Sequence, residues 1–200
     1  PVAKLEVNVA SGDGILIKSA DVATLKFKGS GGVSNWGIAT TNLVAGDFGI
    51  YESNSTGGDP ISAGTPRIFI KPGGDVGIGT TSPIAKLDIE GDLQIVSANI
   101  SFQENTDVDA AAAEVIATVN TGSFTGAFFD YTCVSGSNAR VGTVMAVNVA
   151  GSVEYTDNST NSIGATSGVT LSVDISGANM RLLAATTTDN WSIKSLVRTL

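Results

Sequence analysis

Residues 75–89 read DVGIGTTSPIAKLDI, two short apolar alternations on either side of a Gly/Thr/Ser/Pro corner. That is the pattern of short strands joined by a tight turn. The second half occurs twice. Pro1-Val2-Ala3-Lys4-Leu5-Glu6-Val7 and Pro83-Ile84-Ala85-Lys86-Leu87-Asp88-Ile89 agree in kind at every position, 82 residues apart. Repetition at a fixed period marks a structural unit in which each copy supplies a surface for its neighbour, so the chain is expected to be a section of a longer array.

Composition points the same way outside this stretch. Of 200 residues, 42% are hydrophobic and only 15% charged, with 24 glycines, 21 serines and 21 threonines. Val, Ile and Thr outweigh the good helix formers, which predicts an all-β protein with many turns. The formal net charge of −8, without a basic cluster, argues against nucleic acid, whose phosphates require several Lys or Arg to displace counterions. No run of 18 apolar residues suggests membrane insertion. The single cysteine, Cys133, alternates with Phe129 and Tyr131 and reads as a buried thiol, which fits folding in a reducing cytoplasm.

Working outward from residues 75–89, Pro72-Gly73-Gly74 joins strands 67–71 and 75–78 as a hairpin, while stretches at 15–17, 24–28, 35–38 and 47–51 give further short strands. Residues 53–66, rich in Ser, Gly, Thr and Pro, read as a loose loop. From Asp88 to Glu114 there are seven carboxylates and no basic side chain, ending in Ala110-Ala111-Ala112-Ala113, which suggests a connector with one helical turn. Beyond it, strands are expected at 115–119, 127–134, 140–149, 153–156, 169–175, 181–186 and 191–200. Residues 1–119 carry 14 acidic and 7 basic side chains, and 120–200 carry 5 and 4, which marks a boundary. The domains are therefore read as a repetitive β region over 1–100, a connector over 101–119, and a compact antiparallel β-sandwich of jelly-roll or Greek-key type over 120–200.

Three stretches carry a family resemblance. DVGIGTTSPIAKLDI resembles a shaft motif of bacteriophage tail fibres. Asp47-Phe48-Gly49-Ile50-Tyr51 with Arg67-Ile68-Phe69-Ile70 is similar to what precedes it there, and 168–177 with Met180-Arg181-Leu182 and Asp189-Asn190-Trp191 resembles a C-terminal fibre head. The resemblance implies an elongated trimeric β shaft, three chains wound about one axis with Gly77 and Gly79 allowing close approach, followed by a head that meets a bacterial surface glycan. It also implies a homotrimer in the virion. A tailspike-like polysaccharide depolymerase and a bacterial adhesin stalk are the alternatives.

Catalysis finds little support in the residues. Without histidine there is no Ser-His-Asp or Cys-His machinery, and one cysteine makes no thiolate zinc cluster. Gly77-Ile78-Gly79 lacks the third glycine and following helix of a dinucleotide site and reads as a turn. Asn105, Asp107 and Asp109 alternate like the start of a calcium loop, but Ala110 replaces the glycine and the distal glutamate is missing. No catalytic residue, cofactor or metal site is assigned. For ligand binding, Tyr155, Asp157, Asn158 and Asn161 combine an aromatic face with amide and carboxylate groups in an expected loop. Trp191 reads as core, and Trp36 as an intersubunit packing residue.

Overall fold

The computed structural model describes residues 17–29, 32–40, 42–110 and 112–200, so the first copy of the repeat, residues 1–7, and most of the expected strand at 15–17 lie outside it. Every regular element among the described residues is a strand, and the protein is all-β. The chain divides into two compact units, Pro1–Glu90 and Gly91–Leu200.

In the first unit, β1 (Thr24–Phe27), β2 (Ser34–Thr40), β3 (Phe48–Thr56), β4 (Gly64–Ile70), β5 (Val76–Ile78) and β6 (Leu87–Ile89) form one sheet in sequential order. Neighbours are antiparallel except β5 and β6, which run parallel with Val76 opposite Leu87 and Ile78 opposite Ile89. Parallel neighbours usually need a crossover of about a dozen residues or more, yet here residues 79–86 suffice. The return is tight: Thr80 folds back over Gly77 so closely that a Cβ at Gly77 would strike the Thr80 carbonyl, and Gly79 turns the chain at φ +79°. Asp88 Oδ2 accepts from the Ile84 amide at 3.0 Å, and Lys86 Nζ pairs with Asp75 at 2.5 Å. The crowding at Gly77 thus comes from its own chain, where the sequence suggested the approach of other chains.

The 53–66 segment also differs from expectation. β3 runs on to Thr56, and the loop beyond is anchored: Asn35 Nδ2 donates to the Gly58 carbonyl at 2.7 Å, while Asp59 accepts from the Ile61 and Ser62 amides and pairs with Lys26. Anchoring of this kind shields one sheet face. Asn35, Ala39, Tyr51, Ser53 and Phe69 are buried there, and the Tyr51 ring lies on Gly49, where a Cβ would collide with it.

The second unit contains β7 (Leu93–Ile95), β8 (Ala98–Val108), β9 (Glu114–Asn120), β10 (Gly126–Ser135), β11 (Asn138–Val149), β12 (Ser152–Ser159), β13 (Val169–Ser176), β14 (Asn179–Thr186) and β15 (Trp191–Thr199). They make a six-stranded sheet, β12-β11-β10-β15-β8-β7, and a three-stranded sheet, β13-β14-β9. Both contribute to one core: Phe129, Tyr131, Val144, Ile193 and Val197 from the first meet Ile116, Leu171, Val173, Met180 and Leu182 from the second. Alternation explains it, because inward and outward residues exchange at every step along a strand. Trp191 is buried, in line with its sequence pattern.

The expected 101–119 connector is not one. β8 pairs with β15 along most of its length, and β9 pairs with β14, so both strands are integral to the second unit, whose boundary lies at Gly91 and not at 120. The sequence hid β8 because its core-facing positions Asn99, Ser101 and Gln103 are polar, leaving only the short outward alternation Ala98, Ile100 and Phe102 to read.

Candidate functional site

Tyr155 stands on the edge strand β12 within the strand expected at 153–156, and Asp157 and Asn158 stand on its continuation, where the sequence placed a loop; Asn161 follows the strand and is exposed. Strand alternation separates them. Tyr155 lies opposite Ala146 and Asp157 opposite Val144, both core-facing, while Asn158 lies opposite Thr143 on the other side of the sheet. On that other side, an apolar hollow of about 480 Å³ among Phe128, Met145, Val147 and Leu200 and one of about 500 Å³ that Asn158 borders with Asp130 and Thr143 share no lining residue. The four side chains do not converge on one ligand position.

Asp157 has a structural task. The buried Tyr131 hydroxyl donates to its Oδ1 at 2.8 Å, and the Arg140 guanidinium lies 3.8 Å from its Oδ2. Arg140 also stacks 5.8 Å from the Tyr131 ring centre and donates to the Thr166 carbonyl, tying residues 160–168 to the sheet. Burial, reinforced by the bond to Asp157, pushes the Tyr131 phenol up to about 12. Cys133, paired with Arg140 across β10 and β11, is fully buried, and burial pushes its thiol up to about 11. A thiol so protonated is a poor nucleophile.

The carboxylates of 104–114 serve turns. Glu114 accepts from the Asn105 side chain and the Asp109 amide, both at 2.9 Å, and Asp109 accepts from the Asn190 amide at 3.1 Å. Among the described residues no cluster of three or more His, Cys, Asp or Glu side chains is placed to hold a metal ion.

The surface that sequence reading missed is the second face of the first unit. Leu25, Ile38, Ile50, Ile68, Ile78 and Ile89 are successive cross-strand partners, one from each of β1 to β6, and form an unbroken aliphatic row across the whole sheet. Phe48, Ile70, Val76 and Leu87 form a second row beside it, and Phe27 and Trp36 extend the same face. Leu25 is 43% exposed, Phe27 53%, Ile78 40% and Leu87 56%, so among the described residues no second layer covers this face. Monomeric soluble proteins rarely leave so large a contiguous apolar surface open. Each strand shows only two of these residues, and the row exists only once register is known.

A smaller apolar area lies on the outer side of the second unit's six-stranded sheet. Phe102 and Leu196 face each other there, 58% and 44% exposed, beside Phe128, over which Arg198 stacks at 4.9 Å while pairing with Asp130 at 2.8 Å.

No protein-family model matches this chain, and no curated protein sequence is significantly similar to it.

Proposed function

We propose that this chain is a non-enzymatic distal section of a bacteriophage tail fibre, in which the first unit is a shaft segment that self-associates as a homotrimer and the second is a β-sandwich head that binds a glycan of the bacterial surface. The observation that carries this reading is the aliphatic row from Leu25 to Ile89. Burying the exposed parts of these six aliphatic side chains contributes on the order of 5–10 kcal/mol, comparable with the roughly 4–15 kcal/mol that association costs in lost freedom. A second copy of the same row is an occupant of matching chemistry, and a repeated unit supplies it along the length of a fibre. The apolar area around Phe102 and Leu196 gives the head a corresponding contact. Several heads held together strengthen weak single-site binding to a cell surface.

Competition for host cells tests the function. Purified chain should block adsorption of the virus that carries it. Ile50→Asp, which sets a charge in the middle of the row, should block at least tenfold less well while the second unit stays folded. A wild-type chain that leaves adsorption untouched would contradict the proposal.

A further inference from the structure

The polar inner side of β8, which concealed that strand in the sequence, lines an open groove in the second unit. Two hollows of about 550 and 290 Å³ share Asp92, Asn99 and Phe124 and so form one channel. Gln94 flanks its wider part, and Asn120 and Asn179 stand at the narrower end. The wall is rigid: the Gln103 amide accepts from Thr118 N at 2.9 Å and donates to Thr118 O at 3.0 Å, joining β8 to β9 as a backbone pair would. A site held in this way loses little freedom when a ligand arrives.

We infer that this groove is a saccharide subsite for a neutral glycan, a site distinct from the β12 residues singled out in the sequence. This deepens the glycan-binding reading and rests on it for the source of the ligand. Chemistry selects the class. Among the described residues Asp92 is the one charged side chain lining the groove, and none of them supplies a cation to hold a phosphate, sulfate or uronate. Carboxamides present a donor and an acceptor side by side, as adjacent sugar hydroxyls do, and a carboxylate accepts from two hydroxyls at once. Asn99 Nδ2 already donates to Asp92 Oδ2 at 3.1 Å, which fixes both groups and leaves Asn99 Oδ1 and Asp92 Oδ1 for a ligand. Partly buried Phe124 adds the apolar surface against which the C–H face of a pyranose ring packs.

The test is a glycan array carrying neutral and anionic oligosaccharides, probed with the full chain, with affinities for the best neutral hit then measured by calorimetry. Neutral glycans should bind, and Asp92→Asn and Asn99→Ala should each weaken binding about tenfold with unchanged thermal unfolding, while Asn158→Ala on the opposite sheet face has no effect. If either variant fails to fold, saturation-transfer NMR on the wild-type chain decides, since ring protons of the bound sugar should receive magnetisation from Phe124. Preference for anionic glycans, or neutral binding indifferent to both variants, overturns the groove. Absence of any glycan binding by a chain that still self-associates and blocks adsorption overturns the groove and leaves the fibre reading standing. Glycan binding lost through Asp92 and Asn99 in a chain that neither self-associates nor blocks adsorption does the reverse.

Discussion

The two units solve the problem of burying apolar surface in opposite ways. The second places two sheets over one core, from Val108 to Val197, with Phe129, Cys133, Val144, Met180, Leu182 and Ile193 fully buried. The first has one sheet and buries few large apolar side chains, Tyr51 and Phe69, while a dozen others cover its open face. A single layer of short strands cannot offset its chain entropy alone. The difference teaches that the second unit is a folding unit in the ordinary sense, whereas the first, among the described residues, leaves open a face that the proposed self-association would cover.

Truncation should produce the largest effect and separates the units most sharply. Residues 91–200 expressed alone should unfold in one cooperative transition, whereas 120–200 should not fold. The shorter piece lacks β8 and β9, and with them Val108, Ile116, Ala117 and Val119 of the core and one neighbour each of β15 and β14. Cooperative unfolding of 120–200, followed by calorimetry, would place the boundary elsewhere.

Core truncation comes next. Phe129→Ala should lower the stability of the second unit by about 3–5 kcal/mol, read from its denaturant midpoint. Phe69→Ala, equally buried, should show chiefly as weakened association if, as proposed, the first unit folds as it assembles. Equal shifts of one common transition in both variants would erase the contrast.

High pH should act on both units, since burial also raises the Tyr51 phenol of the first, and most strongly on the second. Burial raises Tyr131 to about 12 and Cys133 to about 11, and both groups are neutral when protonated. Their contribution is therefore complete below the unfolded values, near 10 and 8.5–9, and is lost as pH rises toward the folded ones, on the order of 2 kcal/mol for each. Thermal unfolding between pH 8 and pH 11 should show it, and Cys133→Ala should remove the earlier part of the decline. A flat profile would contradict the burial of these groups.

The smallest effects concern β12. Asp157→Ala should cost about 1–3 kcal/mol because the buried Tyr131 hydroxyl loses its acceptor, whereas Asn158→Ala should change stability by less than about 0.5 kcal/mol. Equal, negligible losses would show that the Tyr131–Asp157 bond does not form in solution.

Much of this was legible in the sequence. The seven later strands announced themselves by alternation and turn residues, and correspond to β9 through β15. Trp191 and Cys133 were placed in the core by the same signal. β8 was not, since strand reading depends on apolar periodicity and its inner face is amide and hydroxyl. Two of the candidate binding residues were misplaced for a related reason: Asp157 and Asn158 have the composition of a loop, and only pairing with β11 continues the strand through them and sends them to opposite sides. The aliphatic row was invisible because it runs across strands far apart in sequence. Registry is a tertiary property.

The central claim is that the open face of the first unit is covered by further copies of this chain. Sedimentation equilibrium at micromolar concentration measures it directly. The account predicts a single species of three 20.2 kDa chains for the wild type and a single chain whose second unit stays folded for Ile50→Asp; a well-folded wild-type monomer would contradict it.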